Sequence, residues 1–222
     1  MAKPPESGTP MRVAVFASGG GTNLQAVLDG CRGDSAVDIV LVCSDRSNAG
    51  ALERASAAGI SSRVFRDHSD GSELLSILTE HNVDLVVLAG YLRLVPRETV
   101  AAYDRRMINI HPALLPSFGG KGMYGLRVHR AVLDAGSKVS GPTIHLVTSE
   151  YDRGAIVAQW PVPVHADDTP ESLAARVLEV EHKLLPAVVK SIARRGTESL
   201  PLEFNAFQPA ERPIIPHMTD DS

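Results

Sequence analysis

No apolar run approaches the ~20 residues needed to cross a bilayer, and the opening MAKPPESGTP lacks the apolar segment of a secretory signal. No membrane partner is expected, and residues 1–10 read as a disordered leader. Cysteine is scarce. Cys31 and Cys43 are the only two in 222 residues, too few for a disulfide framework or a cysteine zinc site, and they suit a reducing, cytoplasmic compartment. A surplus of positive charge is also missing. The net charge is −4, whereas binding driven by phosphate neutralisation needs clustered Lys and Arg, so no nucleic-acid partner is expected. The eight histidines form no H-x-H or H-E-x-x-H pattern, so no catalytic metal is expected.

What is present reads as alternating strands and helices. RVAVF at 12–16, DIVLVC at 38–43, residues 62–65, DLVVL at 84–88 and MINI at 107–110 are short and mostly apolar, as in strands buried on both faces. Between them lie helical patterns: Leu24, Val27, Leu28 and Cys31; residues 49–58 closed by Gly59; an Asp70–Glu73 capping pair ahead of Leu74, Leu75, Ile77 and Leu78; and 96–103. This predicts an α/β fold, a doubly wound, mostly parallel sheet with helices on both faces and ligands beyond the carboxyl ends of the strands. In the second half, SFGGKGMYGL at 117–126 carries four glycines and reads as a mobile loop. Residues 128–135 read as a helix, 142–147 as a strand, and 156–164 as an edge strand because of its prolines. Thr169-Pro170 opens a long helix to about Arg194, which Pro186 should kink or break. Residues 11–200 are expected to form one domain and 201–222 an irregular tail.

Three stretches carry candidate chemistry. Ser18-Gly19-Gly20-Gly21-Thr22-Asn23 stands between a strand and a helix, where free N–H groups and the helix's positive end suit a phosphate. It is neither G-x-G-x-x-G nor a Walker A loop, and the competing reading is a tight turn capped by Thr22 or Asn23. Asp45 ends the second strand, about where a dinucleotide fold keeps its ribose-binding acid. NIHPALLP at 109–116 places Asn109 and His111 on one face at a strand's end. Together they can meet an oxyanion, or simply tie down loop backbone. Asp152, in the turn YDRG, Arg93, after DLVVL, and Glu181, on the long helix, read from local sequence as turn former, crevice or surface charge, and solvated helical face.

Taken with LAGYLRLV at 88–95, GPTIHLV at 141–147, YDRGAIVAQ at 151–159 and ARVLEVEHKLLP at 175–186, these stretches resemble the folate-dependent formyltransferases over most of residues 11–194. The SGGGTN loop resembles the glycinamide ribonucleotide branch. The resemblance implies a Rossmann-like formyltransferase fold, 10-formyltetrahydrofolate as co-substrate and glycinamide ribonucleotide as acceptor, in a monomer or homodimer. It implies Asn109, His111 and Asp152 as the catalytic trio; Gly20, Gly21, Thr22 and Asn23 on the substrate 5′-phosphate; and Glu181 on its ribose. Leu92, Arg93, Leu94 and Val95 would line the folate pocket, and Asn109 would face the folate as well. Ala113 stands where the family often has Ser, and Arg66 is the nearest counterpart of a folate-contacting Arg, left unassigned.

On that reading the amine attacks the formyl carbon directly. Asn109 and a protonated His111 receive the charge on the formyl oxygen, and Asp152 keeps His111 charged and helps move the amine's proton. Two rivals stand beside it. One is a formyltetrahydrofolate hydrolase, which passes the formyl group to water. The other is a non-catalytic nucleotide-binding α/β protein, supported by Asp45 and the glycine turn. A methionyl-tRNA formyltransferase would be expected to add a C-terminal domain of about a hundred residues, which the stretch after Leu200 is too short to form.

Overall fold

Five parallel strands are linked by four helices, each of which carries the chain back to start the next strand in the same direction. In the computed structural model, which describes residues 9–65 and 71–200, these are β1 (Met11–Phe16), α1 (Thr22–Cys31), β2 (Val37–Ser44), α2 (Gly50–Ala57), β3 (Ser61–Val64), α3 (Gly71–Glu80), β4 (Leu85–Leu88), α4 (Arg97–Ala102) and β5 (Met107–His111). There follow α5 (Leu126–Asp134), β6 (Val139–Ser140), β7 (Thr143–Leu146), β8 (Ile156–Gln159), β9 (Val162–Pro163) and α6 (Pro170–Arg195).

The main sheet has the order β3-β2-β1-β4-β5-β7-β8. Strands β1 to β5 pair in parallel, and β7 and β8 close the sheet antiparallel. The chain steps outward from β1 through β2 to β3, then crosses back to lay β4 on the other flank of β1. Loops leaving β1 and β4 therefore diverge, which opens a crevice at that switch point. The expected mostly parallel, doubly wound architecture is present.

Alternation along β1 divides the core. Val13 and Val15 pack with Leu24 and Val27 of α1 and with Leu184, Leu185 and Val188 of α6. Ala14 and Phe16 point the other way, onto Phe65, Leu74, Leu78 and Tyr91. Both faces are covered, which is why these strands read as unbroken apolar runs.

Two expectations are corrected. The run 156–164 is not one strand. It breaks after Gln159 because Pro161 has no N–H for the ladder, and β9 pairs instead with the unforeseen β6. Pro186 does not break α6, which runs unbroken over 26 residues. Its ring sits against Gly30 of α1, where an added Cβ would lie 2.6 Å from Pro186 Cβ. That tight helix–helix contact offsets the missing backbone bond. The capping pair at Asp70, together with Arg66, the leader up to residue 8 and the tail 201–222, lies outside the described residues.

Candidate active site

β5 ends at His111, and Asn109 and His111 project to the same side, as their spacing predicts. The turn that follows is fastened from beneath. Thr143 of β7 donates its hydroxyl to Ala113 O (2.7 Å) and accepts from Leu115 N (3.0 Å). Gln159 of β8 donates to both Leu115 O and Thr143 Oγ1 at 2.9 Å. Thr143 is fully buried, so this polar support works without competition from water.

Asp152 comes from the connection between β7 and β8 and lies in the same place. Its Oδ2 is 3.5 Å from His111 Nδ1 and accepts from Gly120 N at 2.8 Å. Its Oδ1 is 3.5 Å from Nε2 of His145. Asp152 holds a left-handed backbone, φ 55°, and Gly154 lets the turn close on β7: a Cβ there would stand 1.6 Å from Leu146 O. Asp152 is therefore more than a turn former; the turn exists in a shape that aims its carboxylate at two imidazoles.

His145 is a site residue the sequence reading missed. Its Nδ1 lies 2.8 Å from Leu146 O, a group that can only accept, which assigns the proton to Nδ1. Its Nε2 then accepts from Asn109 Nδ2 at 3.0 Å. Asn109 keeps a second N–H for another acceptor. The only available signal was a histidine within an apolar strand. The pairing that sets His145 opposite Asn109 exists only once β5 and β7 are in register.

His111 is held in the same manner. Nε2 donates to Phe118 O at 2.9 Å, which leaves Nδ1 facing the carboxylate. Burial pushes the His111 pKa down; Asp152 and the Phe118 contact pull it up without prevailing. Burial acts against Asp152 too, but the two neighbouring imidazoles and the Gly120 N–H outweigh it and hold that carboxyl below the usual range. The cluster is thus a carboxylate between two imidazoles, each with one nitrogen committed to a backbone carbonyl, and it leaves Nδ1 of His111 facing Asp152 as a place for a proton.

These side chains open into a cavity of about 620 Å³ whose walls include Leu92, Arg93, Leu94, Val95, Tyr151, Asn23 and Glu181. Glu181 is not on a solvated face: it is 6% exposed, accepts from Asn23 Nδ2 at 2.6 Å, and burial pushes its carboxyl up to about 7 against that bond. Arg93 is half-exposed and lies 3.5 Å from Asp45. The Asp45 side chain is 1% exposed, turned onto Arg93 and Arg46 instead of out toward a ribose. This removes the acid on which the dinucleotide reading relied.

Of the glycine-turn residues, Asn23 reaches the cavity, whereas Thr22 lines a neighbouring groove with Arg54 and His182. Neither Thr22 nor Asn23 caps α1; Gly21 stands at the N-cap with φ 72°, and among the described residues there is no side-chain cap. The turn's carbonyls are all engaged: Gly19 O by Ala51 N, Gly20 O by Arg54 Nε and Gly21 O by Gln25 N. Among the described residues the N–H groups of 19–24 have no acceptor, and they form a concentrated donor set at a helix's positive end.

Comparisons with known proteins point to one family. Residues 11–189 match the formyl transferase family. A chloroplastic phosphoribosylglycinamide formyltransferase of Arabidopsis thaliana is 48% identical over 90% of this chain and 73% of its own length. The phosphoribosylglycinamide formyltransferase of Escherichia coli (strain K12) is 36% identical over 82% of this chain and 87% of its own. The crystal structure of the phosphoribosylglycinamide formyltransferase of Anaplasma phagocytophilum superposes with a TM-score of 0.77 at 40% identity, covering 83% of this chain and 87% of that one.

Proposed function

The chain belongs to the formyl transferase family, and from that membership we propose how its cluster of Asn109, His111, His145 and Asp152 works. The protein is a phosphoribosylglycinamide formyltransferase, an enzyme of purine biosynthesis that formylates the amine of phosphoribosylglycinamide. The formyl donor is 10-formyltetrahydrofolate, seated between Leu92–Val95 and the 148–152 turn. The phosphate of the acceptor lies on the N–H groups of residues 20–23, and Glu181 receives its ribose hydroxyls. No residue forms a covalent intermediate, because two substrates side by side in one cavity gain most from proximity.

The neutral amine attacks the formyl carbon, and a C–N bond forms as the carbonyl π-pair moves onto oxygen. The free N–H of Asn109 and the Nε2–H of His111 meet that oxygen, which replaces the Phe118 carbonyl on His111. The attacking nitrogen becomes acidic once bonded. Its proton passes to Nδ1 of His111, where the Asp152 carboxylate steadies the imidazolium. Collapse of the tetrahedral centre breaks the bond to the folate nitrogen, which collects that proton. Atoms and charge balance with no further reactant. Cys31 and Cys43 are free thiols buried in the core, as a reducing cytoplasm permits, although the Arabidopsis relative is named as chloroplastic.

The observation that carries this reading is the 3.5 Å approach of Asp152 to both imidazoles at the cavity wall. The test is to follow folate release with and without phosphoribosylglycinamide. Release that depends on the amine, with formylated product in equal amount, supports transfer. Equal release in its absence supports the hydrolase and overturns the proposal.

A further inference from the structure

The glycine turn 19–21 has no side chains to pack, so its shape depends on whatever holds its carbonyls. One of those holders is a guanidinium. Arg54 of α2 donates from Nε to Gly20 O at 2.7 Å and from Nη1 to Gln25 Oε1 at 3.0 Å, which bridges the turn to the first turn of α1. The contact is close: a Cβ on Gly21 would lie 3.2 Å from Arg54 Cδ and 2.8 Å from Ala51 Cα. On the other side the turn is open, with nothing within 4 Å of a Cβ added at Gly19 or Gly20. Among the described residues Nη2 of Arg54 has no partner, and no acidic side chain pairs with the guanidinium.

We propose that Arg54 is a positioning residue for the substrate phosphate: it turns the Gly20 carbonyl away so that the neighbouring N–H groups face the anion, and it sets a permanent positive charge beside them. The inference rests on the reading that the phosphate lies on residues 20–23, and it adds a side chain to what was a backbone site. Two positive poles adjoin here, the guanidinium and the start of α1, and among the described residues no carboxylate is bonded to the guanidinium. That arrangement repels itself when empty and suits a dianion. Lysine reproduces the charge but not the fork that reaches Gly20 and Gln25 together.

The experiment measures kcat/KM for phosphoribosylglycinamide and for its 5′-dephosphorylated analogue, in the parent and in Arg54→Ala and Arg54→Lys. The parent should strongly prefer the phosphorylated substrate. Arg54→Ala should lower that preference by about tenfold to a hundredfold, the range of one lost charge-assisted contact. The loss should lie in KM for phosphoribosylglycinamide, with KM for the folate unchanged. Arg54→Lys should recover part of it. If Arg54→Ala slows both substrates equally and leaves the preference intact, Arg54 is a fold residue and the proposal fails. A parent that does not distinguish the two substrates removes the phosphate from this turn altogether, a different result that also overturns the proposal.

Discussion

Replacing Asp152 with Asn tests the mechanism with little disturbance of the fold. Asn is isosteric, tolerates the left-handed backbone at φ 55°, and can still accept from Gly120 N. What vanishes is the charge. Unit charges 3.5 Å apart, the separation of Asp152 from His111, attract by about 5 kcal/mol at an effective dielectric near 20. The Asp152 side chain is 11% exposed, so solvent screens part of this, and about half is a working figure. A loss of about 2.5 kcal/mol in imidazolium stability corresponds to roughly sixtyfold in rate. Burial already holds the His111 pKa down, and without Asp152 only the Phe118 contact opposes it. The proton from the amine then has nowhere favourable to rest. Rapid-quench measurement of a single turnover should therefore show the chemical step slowed about fiftyfold or more, with both substrates still bound. A variant that keeps more than a tenth of the parent rate would refute the role assigned to this carboxylate.

Asn109→Ala should lower kcat by two to three orders of magnitude, the usual loss for one oxyanion donor of about 3 kcal/mol, with the folate Kd little changed by equilibrium titration. Glu181→Gln should stabilise the fold at high pH. A carboxyl raised from 4.5 to about 7 favours the folded state fully below 4.5, and that contribution is lost as pH rises to 7. Thermal unfolding should show the variant more stable than the parent by about 1–3 kcal/mol at pH 8, with the gain absent at pH 4.5, while its KM for phosphoribosylglycinamide rises. Gly154→Ala should destabilise by about 3 kcal/mol or more, because its Cβ meets Leu146 O at 1.6 Å. Denaturant unfolding measures this, and turnover in the surviving folded fraction should also fall as Asp152 is displaced.

Much of this molecule could be read from the chain alone, because the relevant physics is local. Mostly apolar runs such as RVAVF and DLVVL read as strands covered on both faces, and their alternation with helices leaves a parallel sheet as the solution. The two-residue spacing of Asn109 and His111 fixes a shared direction before any fold is known. Other matters are decided by contacts between distant residues, on which local pattern is silent. Pro186 looks like a helix breaker until Gly30 arrives to receive its ring. Glu181 looks solvated until Asn23, 158 residues earlier, closes over it. His145 is one more histidine until the register of β5 with β7 sets it against Asn109 and Asp152. The protonation state of His111 depends on how far burial outweighs one carboxylate, a balance of solvation and distance. Sequence fixes which groups are available and which way each strand presents them; only the folded chain sets what each group touches and how much water it loses, and from those two quantities the chemistry follows.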